Sequence, residues 1–278
     1  MELTQLPRVS VSSISGCLVW MSERALGQGF VCPRSFLIFL TTVAQQFFLL
    51  ENVMSWIVRL QKSSLGSKYI MAITGAGLFV FLIGHIAGNL LLYFGQEAMN
   101  AYALSLHHLP YGLLWVARGG LLVFALAHVF IAYRLSFHNR AARPQRYQYE
   151  ATLQASFASR TMPYTGTLVL LFILFHLAQF TLHLVAYNGP YTDSLGRDDV
   201  YTMVVNAFQN PVYSVLYIIS MLVIGFHLSH GLSSMWQSLG LNHQKYNLLF
   251  RKLSPLAGWV LCLAAASIPL AVLVGVIK

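Results

Sequence analysis

The sequence predicts an all-α integral membrane protein, a bundle of five transmembrane helices. Two observations carry this prediction: 57% of the 278 residues are hydrophobic and only 9% are charged, and the apolar residues gather in five long segments. Roughly a quarter of the residues in a soluble domain are charged, so this chain has too few charged residues to cover the surface of a soluble fold. The net charge of +9 is then explained by loops beside the membrane and does not indicate nucleic-acid binding.

Five segments are long enough to span a membrane, which requires about 20 predominantly apolar residues at about 1.5 Å each. They cover residues 69–94, 113–137, 165–187, 212–234 and 255–277. Two charged residues fall within them, Arg118 and Arg134, near the ends of the second segment. Long arginine side chains at such positions reach the membrane interface, so both are compatible with a span.

The loop charges orient the bundle, because short cytoplasmic loops collect lysine and arginine. The segment before the first span and two of the loops are basic: Arg59, Lys62, Lys68; Arg140, Arg143, Arg146, Arg160; Lys245, Arg251 and Lys252. The other two loops are mostly acidic: Glu97 in one, and Asp193, Asp198 and Asp199 against Arg197 in the other. We therefore expect the N-terminal side of the first span in the cytoplasm and the C-terminus outside.

Residues 1–53 differ from the rest of the chain. They contain a serine-rich segment, two prolines and a short apolar run at residues 36–50, which is too short to span a membrane. An interfacial helix, the remnant of a targeting segment and non-native sequence are the alternatives for this run. Because Met54 opens an amphipathic lead-in to the first span, we expect a poorly ordered extension or a start-site artefact over 1–53, and the five-span domain over 54–278.

The three cysteines, Cys17, Cys32 and Cys262, show no CxxC, no CxxCH and no paired spacing. This pattern excludes a thiolate-held iron–sulfur cluster, a zinc knuckle and a covalent c-type haem within the chain. The titratable side chains deep in the spans are then the histidines.

Four of the five spans contain histidine, and an ionisable residue inside a membrane is by default a candidate functional group. These residues are His85, His128, His176, His183, His227 and His230. Counted from the cytoplasmic ends of their spans, His85 lies about 24 Å deep and His176 about 17 Å deep. On the same count His128 lies about 14 Å deep and His227 about 11 to 16 Å deep. The depths therefore allow a deeper pair on the first and third spans and a shallower pair on the second and fourth.

Two neutral imidazoles that face each other across a helix bundle form an axial haem site, and two such sites at different depths make an electron route across the membrane. Small residues beside the histidines would let a macrocycle approach the backbone: Gly84, Gly88, Ala125, Ala127, Ala178, Gly225 and Gly231. Small residues also line ordinary helix contacts in membranes. Copper or zinc transport and haem-free packing therefore remain alternatives to a dihaem site.

Four sequence segments occur in order at span spacing: TGAGLFVFLIGHIAGNLLLYFGQEAMNAYA from Thr74, ALAHVFIAYRL from Ala125, TGTLVLLFILFHLAQF from Thr165 and GFHLSHGLSSMWQSLGLNH from Gly225. Over residues 54–278 the chain thereby resembles the single-chain, five-span, dihaem cytochrome b anchor of succinate:quinone oxidoreductases (succinate dehydrogenases) and quinol:fumarate reductases. The resemblance implies His85 and His176 as axial iron ligands of the haem distal to the cytoplasm. It implies His128 and His227 for the proximal haem, which is the pairing that the depths allow.

Three further residues are candidates for positions around the haems. His230 lies three residues after His227 and shares its face, and the FHxxxG frame of the family favours His227 as the ligand, leaving His230 for a haem propionate or the interface. His183 is expected two helical turns beyond His176 on the same face, above the distal haem. Arg118, at the outer end of the second span, is a candidate for a propionate contact.

The resemblance also implies a larger enzyme in a bacterial cytoplasmic membrane. Its parts would be this anchor with two haem b groups, a flavoprotein subunit that interconverts succinate and fumarate, an iron–sulfur subunit, and membrane quinone, by analogy menaquinone. The basic loops at 140–160 and 245–252 are the candidate docking surface for the iron–sulfur subunit, although positive charge would occur there without any partner. A cytochrome b anchor of a hydrogenase or a formate dehydrogenase is the alternative within the same class.

Quinone chemistry needs a proton donor or acceptor within hydrogen-bond reach of each carbonyl. Candidates on the outer side are Gln96, Glu97, Asn100, His107, His108, Tyr111 and His183. Glu97 and His183 are the first choices, and a solvated interfacial role is the alternative for each.

None of the eight acidic residues falls within the five spans, so no carboxylate chain is available to carry protons through the bundle. If succinate reacts in the cytoplasm and quinone reacts at the outer side of the membrane, we therefore expect the rate of electron transfer between them to depend on the membrane potential.

Overall fold

The computed structural model describes residues 38–39, 41–49, 55, 63–142, 155–186, 188–241 and 243–278. The chain divides into two units, Met1–Ser63 and Ser64–Lys278. In the first unit, residues 41–49 are helical and fall within the apolar run at 36–50. The serine-rich segment and Met54 lie outside the described residues, as do the loop cations Arg59, Lys62, Arg143 and Arg146.

The second unit is built from α-helices joined by short turns and loops. Its helices are α1 (Ser64–Asn89), α2 (Gln96–His107), α3 (Leu113–Ala141), α4 (Phe157–Phe180), α5 (Val200–Gln209), α6 (Pro211–Ser238) and α7 (Asn247–Leu273), with 3-10 turns at Leu90–Phe94 and Pro110–Gly112. Within the described part of the chain, the only β-type pairing is an isolated bridge between Thr192 and Asp198.

Five helical segments among the described residues are long and apolar enough to cross a membrane. They are Ser64–Phe94, Pro110–Ala141, Phe157–Phe180, Pro211–Ser238 and Asn247–Leu273. The predicted all-α architecture with five spanning helices is thus confirmed. Most helices extend past the predicted apolar segments at the ends that carry polar and basic residues, because helical hydrogen bonding does not stop where the apolar residues stop.

The third span begins earlier than predicted. Its helix, α4, starts at Phe157 rather than at residue 165 because Ser156 caps it, accepting a hydrogen bond from the Ser159 backbone N–H at 3.1 Å. The helix continues through Pro163, which membrane helices tolerate more readily than soluble ones.

The third span also ends earlier than predicted. Helix α4 stops at Phe180, and His183 and Ala186 adopt left-handed φ values of 54° and 51°. The backbone N–H of Leu184 turns back to the Ala178 carbonyl at 2.8 Å, which closes the helix end. The expectation that His183 continues the helical face of His176 is therefore wrong: His183 lies in the loop after the helix.

The fifth span is shifted toward the N-terminus. Helix α7 covers Asn247–Leu273 instead of residues 255–277 and contains Pro255 and Pro269 in its interior. Lysine and arginine at 251–252 belong to the helix, so the change from polar to apolar residues does not mark its start.

Helix α6 occupies the middle of the bundle, since it packs against α1, α4 and α7, while α3 packs mainly against α1. The larger buried core lies where α5, α6 and α7 meet, and it includes Val205, Phe208, Tyr217, Ile268 and Val272. Apolar side chains such as Trp115, Val116 and Leu122 on α3 are exposed. Exposed apolar faces on long helices are the surface expected toward lipid.

The short helices α2 and α5 lie outside the five spans and were not predicted. Asp199 caps α5 by accepting from the Thr202 backbone N–H at 3.1 Å, and Asn210 caps α6 ahead of Pro211. Helix α2 packs on α5, and α5 packs on α6 and α7. The two short helices therefore close one end of the bundle, and we call them the cap helices.

Candidate functional site: two histidine pairs

The first histidine pair, His85 on α1 and His176 on α4, is in direct contact. The two ring centroids are 5.7 Å apart and the rings are perpendicular, at 89°. Because α4 starts earlier than predicted, His85 and His176 lie at more similar depths in their helices than the sequence suggested. Counted from the first residues of their helices, His85 and His176 lie about 32 Å and about 29 Å along the axis.

Aromatic side chains enclose this pair. Phe81 stacks on His85 at 5.4 Å, and Phe172 and Phe180 lie 5.9 Å and 5.5 Å from the His176 ring. The surroundings of the two rings are therefore mainly aromatic, and neutral imidazole is the form of histidine that binds a metal.

A phenol and an amide support His176. The Tyr217 hydroxyl donates to Gln179 Oε1 at 2.8 Å and lies 3.2 Å from His176 Nδ1. Because the hydroxyl proton is directed to Gln179, its oxygen can accept from Nδ1–H, which leaves the ring lone pair on Nε2. Both supporting residues are buried.

His85 is next to a residue of its own helix. The Asn89 side-chain amide donates to the His85 carbonyl at 2.8 Å and lies 3.5 Å from His85 Nε2. The longer contact is at the limit of a hydrogen bond, so Asn89 restrains this ring only weakly.

The second predicted histidine pair consists of His128 on α3 and His227 on α6. His128 Nδ1 lies 3.2 Å from the Thr74 hydroxyl oxygen. His227 Nδ1 lies 3.4 Å from the Thr165 hydroxyl oxygen. Each histidine is thus held by a threonine from another helix, α1 in one case and α4 in the other.

A glycine follows each of these threonines and faces the same imidazole. A Cβ atom on Gly75 would lie 3.2 Å from His128 Cε1, and one on Gly166 would lie 3.3 Å from His227 Cε1. Both distances are tighter than ordinary van der Waals contact, so the rings approach the backbone closely only because these positions are glycine.

Two of the glycines that were predicted to make room for a macrocycle, Gly88 and Gly225, instead make room for aromatic side chains. A Cβ on Gly88 would collide with the Tyr102 ring, and one on Gly225 would collide with Trp259, each at 2.6 Å. These two glycines admit aromatic side chains from neighbouring helices. Sequence reasoning missed Gly75 and Gly166, although both occur in the same dipeptide, Thr-Gly, on alternate spans.

His230 is half-buried one turn from His227 and is within electrostatic range of it. Arg118 is exposed on α3, with its guanidinium 4.9 Å from the Trp115 ring centroid. Its contact is therefore a cation–π interaction within its own helix.

The quinone candidates lie at the cap helices and in the loop after α4. Glu97 is exposed and forms two hydrogen bonds with Arg197, at 2.6 Å and 3.0 Å. The Arg197 hydrogen bond lowers the pKa of Glu97 below its ordinary value, so this side chain is a carboxylate at neutral pH. His183 is exposed, as are His107, His108 and Tyr111.

Gln96 and Asn100 are engaged in a network centred on Asp199. Their amides donate to the Asp199 carboxylate at 2.7 Å and 3.0 Å, and the Thr202 hydroxyl donates to it at 2.6 Å. Burial raises the pKa of Asp199, but these hydrogen bonds outweigh burial and the net pKa lies below the ordinary value. These two candidates therefore hold the cap helices together.

The residues present fit haem. Each pair offers two imidazoles from separate helices, which is the donor set that would hold a haem within a helix bundle. Supports on Nδ1 of His128, His176 and His227 direct the lone pair to Nε2, as is usual for metal-ligating histidine. Among the described residues, no three His, Cys, Asp or Glu side chains converge as a metal site.

Comparison with known proteins gave one family match. Residues 136–268 match the family described as succinate dehydrogenase/fumarate reductase transmembrane subunit. The matched range runs from the end of α3 through most of α7 and contains one histidine of each pair, His176 and His227. Searches of curated proteins and of solved structures gave no match.

Proposed function

We propose that the chain is a cytochrome b anchor that carries electrons between an iron–sulfur subunit and membrane quinone through two bis-histidine haems. The match of residues 136–268 to the succinate dehydrogenase/fumarate reductase transmembrane subunit family supports this proposal. The five apolar helices and the family make the chain a multi-pass membrane subunit. The observation that carries the proposal is the contact between His85 and His176, whose perpendicular rings come from two spans of the bundle.

Four histidines would hold the two haems. His85 and His176 would ligate one, and His128 and His227 the other. When bound, the haem at each histidine pair would accept and release one electron reversibly. The chain contributes the imidazoles, hydrogen-bonding partners at Nδ1 of His128, His176 and His227, and aromatic side chains beside the first pair.

The iron–sulfur subunit would bind at the end of the bundle opposite the cap helices. Helices α3, α4, α6 and α7 begin or end there, and the exposed cations Arg140, Arg251 and Lys252 lie at that end. The positive-inside rule supports a cytoplasmic position for this end, and the family resemblance suggests a bacterial cytoplasmic membrane. A flavoprotein subunit that interconverts succinate and fumarate would complete the complex.

Quinone, by family analogy menaquinone, would bind at the capped end. Of the two first candidates, Glu97 is held as a carboxylate by Arg197, so it suits accepting a hydrogen bond better than releasing a proton. His183 lies in the loop three residues beyond Phe180, whose ring contacts His176. We therefore assign proton exchange with quinone to His183 and an orienting hydrogen bond to Glu97.

A reduced-minus-oxidised visible spectrum of the purified protein tests the proposal. We expect a b-type signal from two haems, with one lost in His85→Ala and the other in His128→Ala. His138→Ala is the matched control, because His138 lies exposed near the end of α3, and it should leave both signals intact. A wild-type protein without a b-type signal after haem supplementation would refute the proposal.

A further inference from the structure

The same dipeptide, Thr-Gly, occurs at residues 74–75 on α1 and 165–166 on α4, and each copy contacts one member of the second histidine pair. The threonine oxygens lie 3.2 Å and 3.4 Å from the two Nδ1 atoms. The following glycines face Cε1 of the same rings. The two contacts therefore match in residue type, in ring atom and in the spacing of threonine and glycine.

The direction of the hydrogen bonds follows from the threonine protons. Thr74 donates its hydroxyl to the Ile70 carbonyl at 2.7 Å, and the Thr165 hydroxyl lies 3.2 Å from the Thr161 carbonyl. A hydroxyl has one proton, so an oxygen that donates to a carbonyl meets the imidazole as an acceptor. The contacts with Thr74 and Thr165 therefore place the ring protons of His128 and His227 on Nδ1.

The glycines fix where the rings lie. At 3.2 Å and 3.3 Å from a hypothetical Cβ, each imidazole contacts the helix backbone at a position that alanine would partly fill. Threonine thus sets the tautomer and glycine sets the distance between ring and helix.

The first pair has no such arrangement in the described structure. His176 is supported by the Tyr217 phenol, which is in turn bonded to Gln179, and His85 has the long Asn89 contact. The two pairs therefore differ in the chemistry of their supports.

We propose that the two Thr-Gly dipeptides are positioning residues that fix the tautomer and ring position of His128 and His227, and thereby lower the redox potential of the haem bound there. The inference rests on the proposed function. An acceptor on Nδ1–H makes the imidazole a more basic ligand, and a more basic axial ligand favours the oxidised haem.

Redox titrations of Thr74→Val and Thr165→Val in the assembled complex test the inference, because valine keeps the branched shape and removes the hydroxyl. We expect both variants to raise the same one of the two haem midpoint potentials. At the wild-type midpoint, the reduced-to-oxidised ratio should rise about threefold to tenfold, where tenfold corresponds to about 59 mV for a one-electron couple. Tyr217→Phe should change the other potential.

Matched controls separate the hydroxyl from general effects on the helices. Thr161→Val removes a threonine on α4 whose hydroxyl bonds to the Phe157 carbonyl, and it should leave both potentials unchanged. Gly166→Ala should alter the same haem as Thr165→Val, whereas Gly120→Ala, at an exposed position on α3 with open space within 4 Å, should alter neither.

Each outcome decides the inference. Valine variants that behave like Thr161→Val, or that change different potentials from one another, would overturn it. If a valine variant loses haem, Thr74→Ser and Thr165→Ser decide: wild-type potentials support a role for the hydroxyl, and loss of haem in the serine variants overturns it. The visible spectrum of the wild type is measured first. Absence of b-type haem in it would refute the proposed function and this inference together. Normal haem in the wild type with unchanged potentials in the variants would refute the inference alone.

Discussion

The Asn100 amide and the Asp199 carboxylate meet at 3.0 Å in the interior of the cap. Asn100 lies on α2 and Asp199 caps α5, so this contact joins two helices that are about a hundred residues apart in the chain. The Asn100 carbonyl oxygen in turn accepts from the Tyr201 backbone N–H at 3.1 Å. One buried amide–carboxylate pair therefore holds the first cap helix to the start of the second.

Replacing Asp199 with alanine should destabilise the protein. The variant loses the α5 cap, worth about 1 kcal/mol. It also leaves the buried Asn100 amide with only its longer contact to Asp193, at 3.4 Å, and a weakened buried hydrogen bond costs up to about 1–3 kcal/mol. We expect a lower midpoint of thermal unfolding in detergent, followed by tryptophan fluorescence. Asp198→Ala, which replaces the exposed neighbouring acid, should leave the midpoint close to wild type. Equal effects of the two variants would contradict the assigned role of Asp199.

The stability of the cap should depend on pH in the acidic range. The Arg197 hydrogen bond lowers the pKa of Glu97 from an ordinary value of 4.5. A carboxyl whose folded-state pKa is lowered stabilises the protein above its unfolded-state pKa, and the stabilisation is lost as the pH falls through the folded-state value. Arg197 has a raised pKa, so its contribution is lost only in strongly alkaline solution.

Glu97→Gln provides the measurement of this pH effect. Wild type and variant should differ in unfolding midpoint by a constant amount between pH 6 and 8, and the difference should shrink as the pH falls below about 4.5. A difference that persists unchanged at pH 3.5 would show that the carboxylate charge does not contribute.

The quinone assignment predicts different effects for His183 and Glu97. A residue that exchanges protons with substrate contributes about 10²- to 10⁴-fold to rate, so His183→Ala should lower succinate–quinone turnover by about 10²-fold or more while the haem spectrum stays intact. Glu97→Gln should raise the KM for quinone with a smaller change in kcat. His138→Ala is the control, since His138 is exposed near the end of α3, away from the cap helices. Normal turnover in His183→Ala would remove that residue from the site.

Much of the architecture followed from the sequence because lipid imposes a single strong requirement, a long apolar helix. The five spans were predicted, and so was the proximity of His85 to His176, since alternating spans convert sequence position into depth. The ends of the spans were less predictable. Helix α4 ends at Phe180 within an apolar run, because His183 and Ala186 adopt left-handed backbone conformations that hydropathy does not encode.

The residues that hydrogen-bond to the histidine rings could not be identified from the depths of side chains in the spans. Thr74, Thr165 and Tyr217 are common residues for a membrane helix, and their roles arise from which helices pack together. A usable signal was present in the repeated Thr-Gly dipeptide. The cap helices also had local signals, the Asp199 to Thr202 capping spacing and the Asn210-Pro211 dipeptide, which mark the starts of α5 and α6.

Each histidine pair takes one member from the first two spans and one from the third and fourth. When α1 and α3 have been synthesised and inserted, the chain contains only His85 and His128 of the four, and neither has its counterpart. The first pair is completed when α4 joins the bundle and the second when α6 joins it. In the proposed dihaem arrangement, neither haem could therefore have both of its ligands before the second half of the chain is in place.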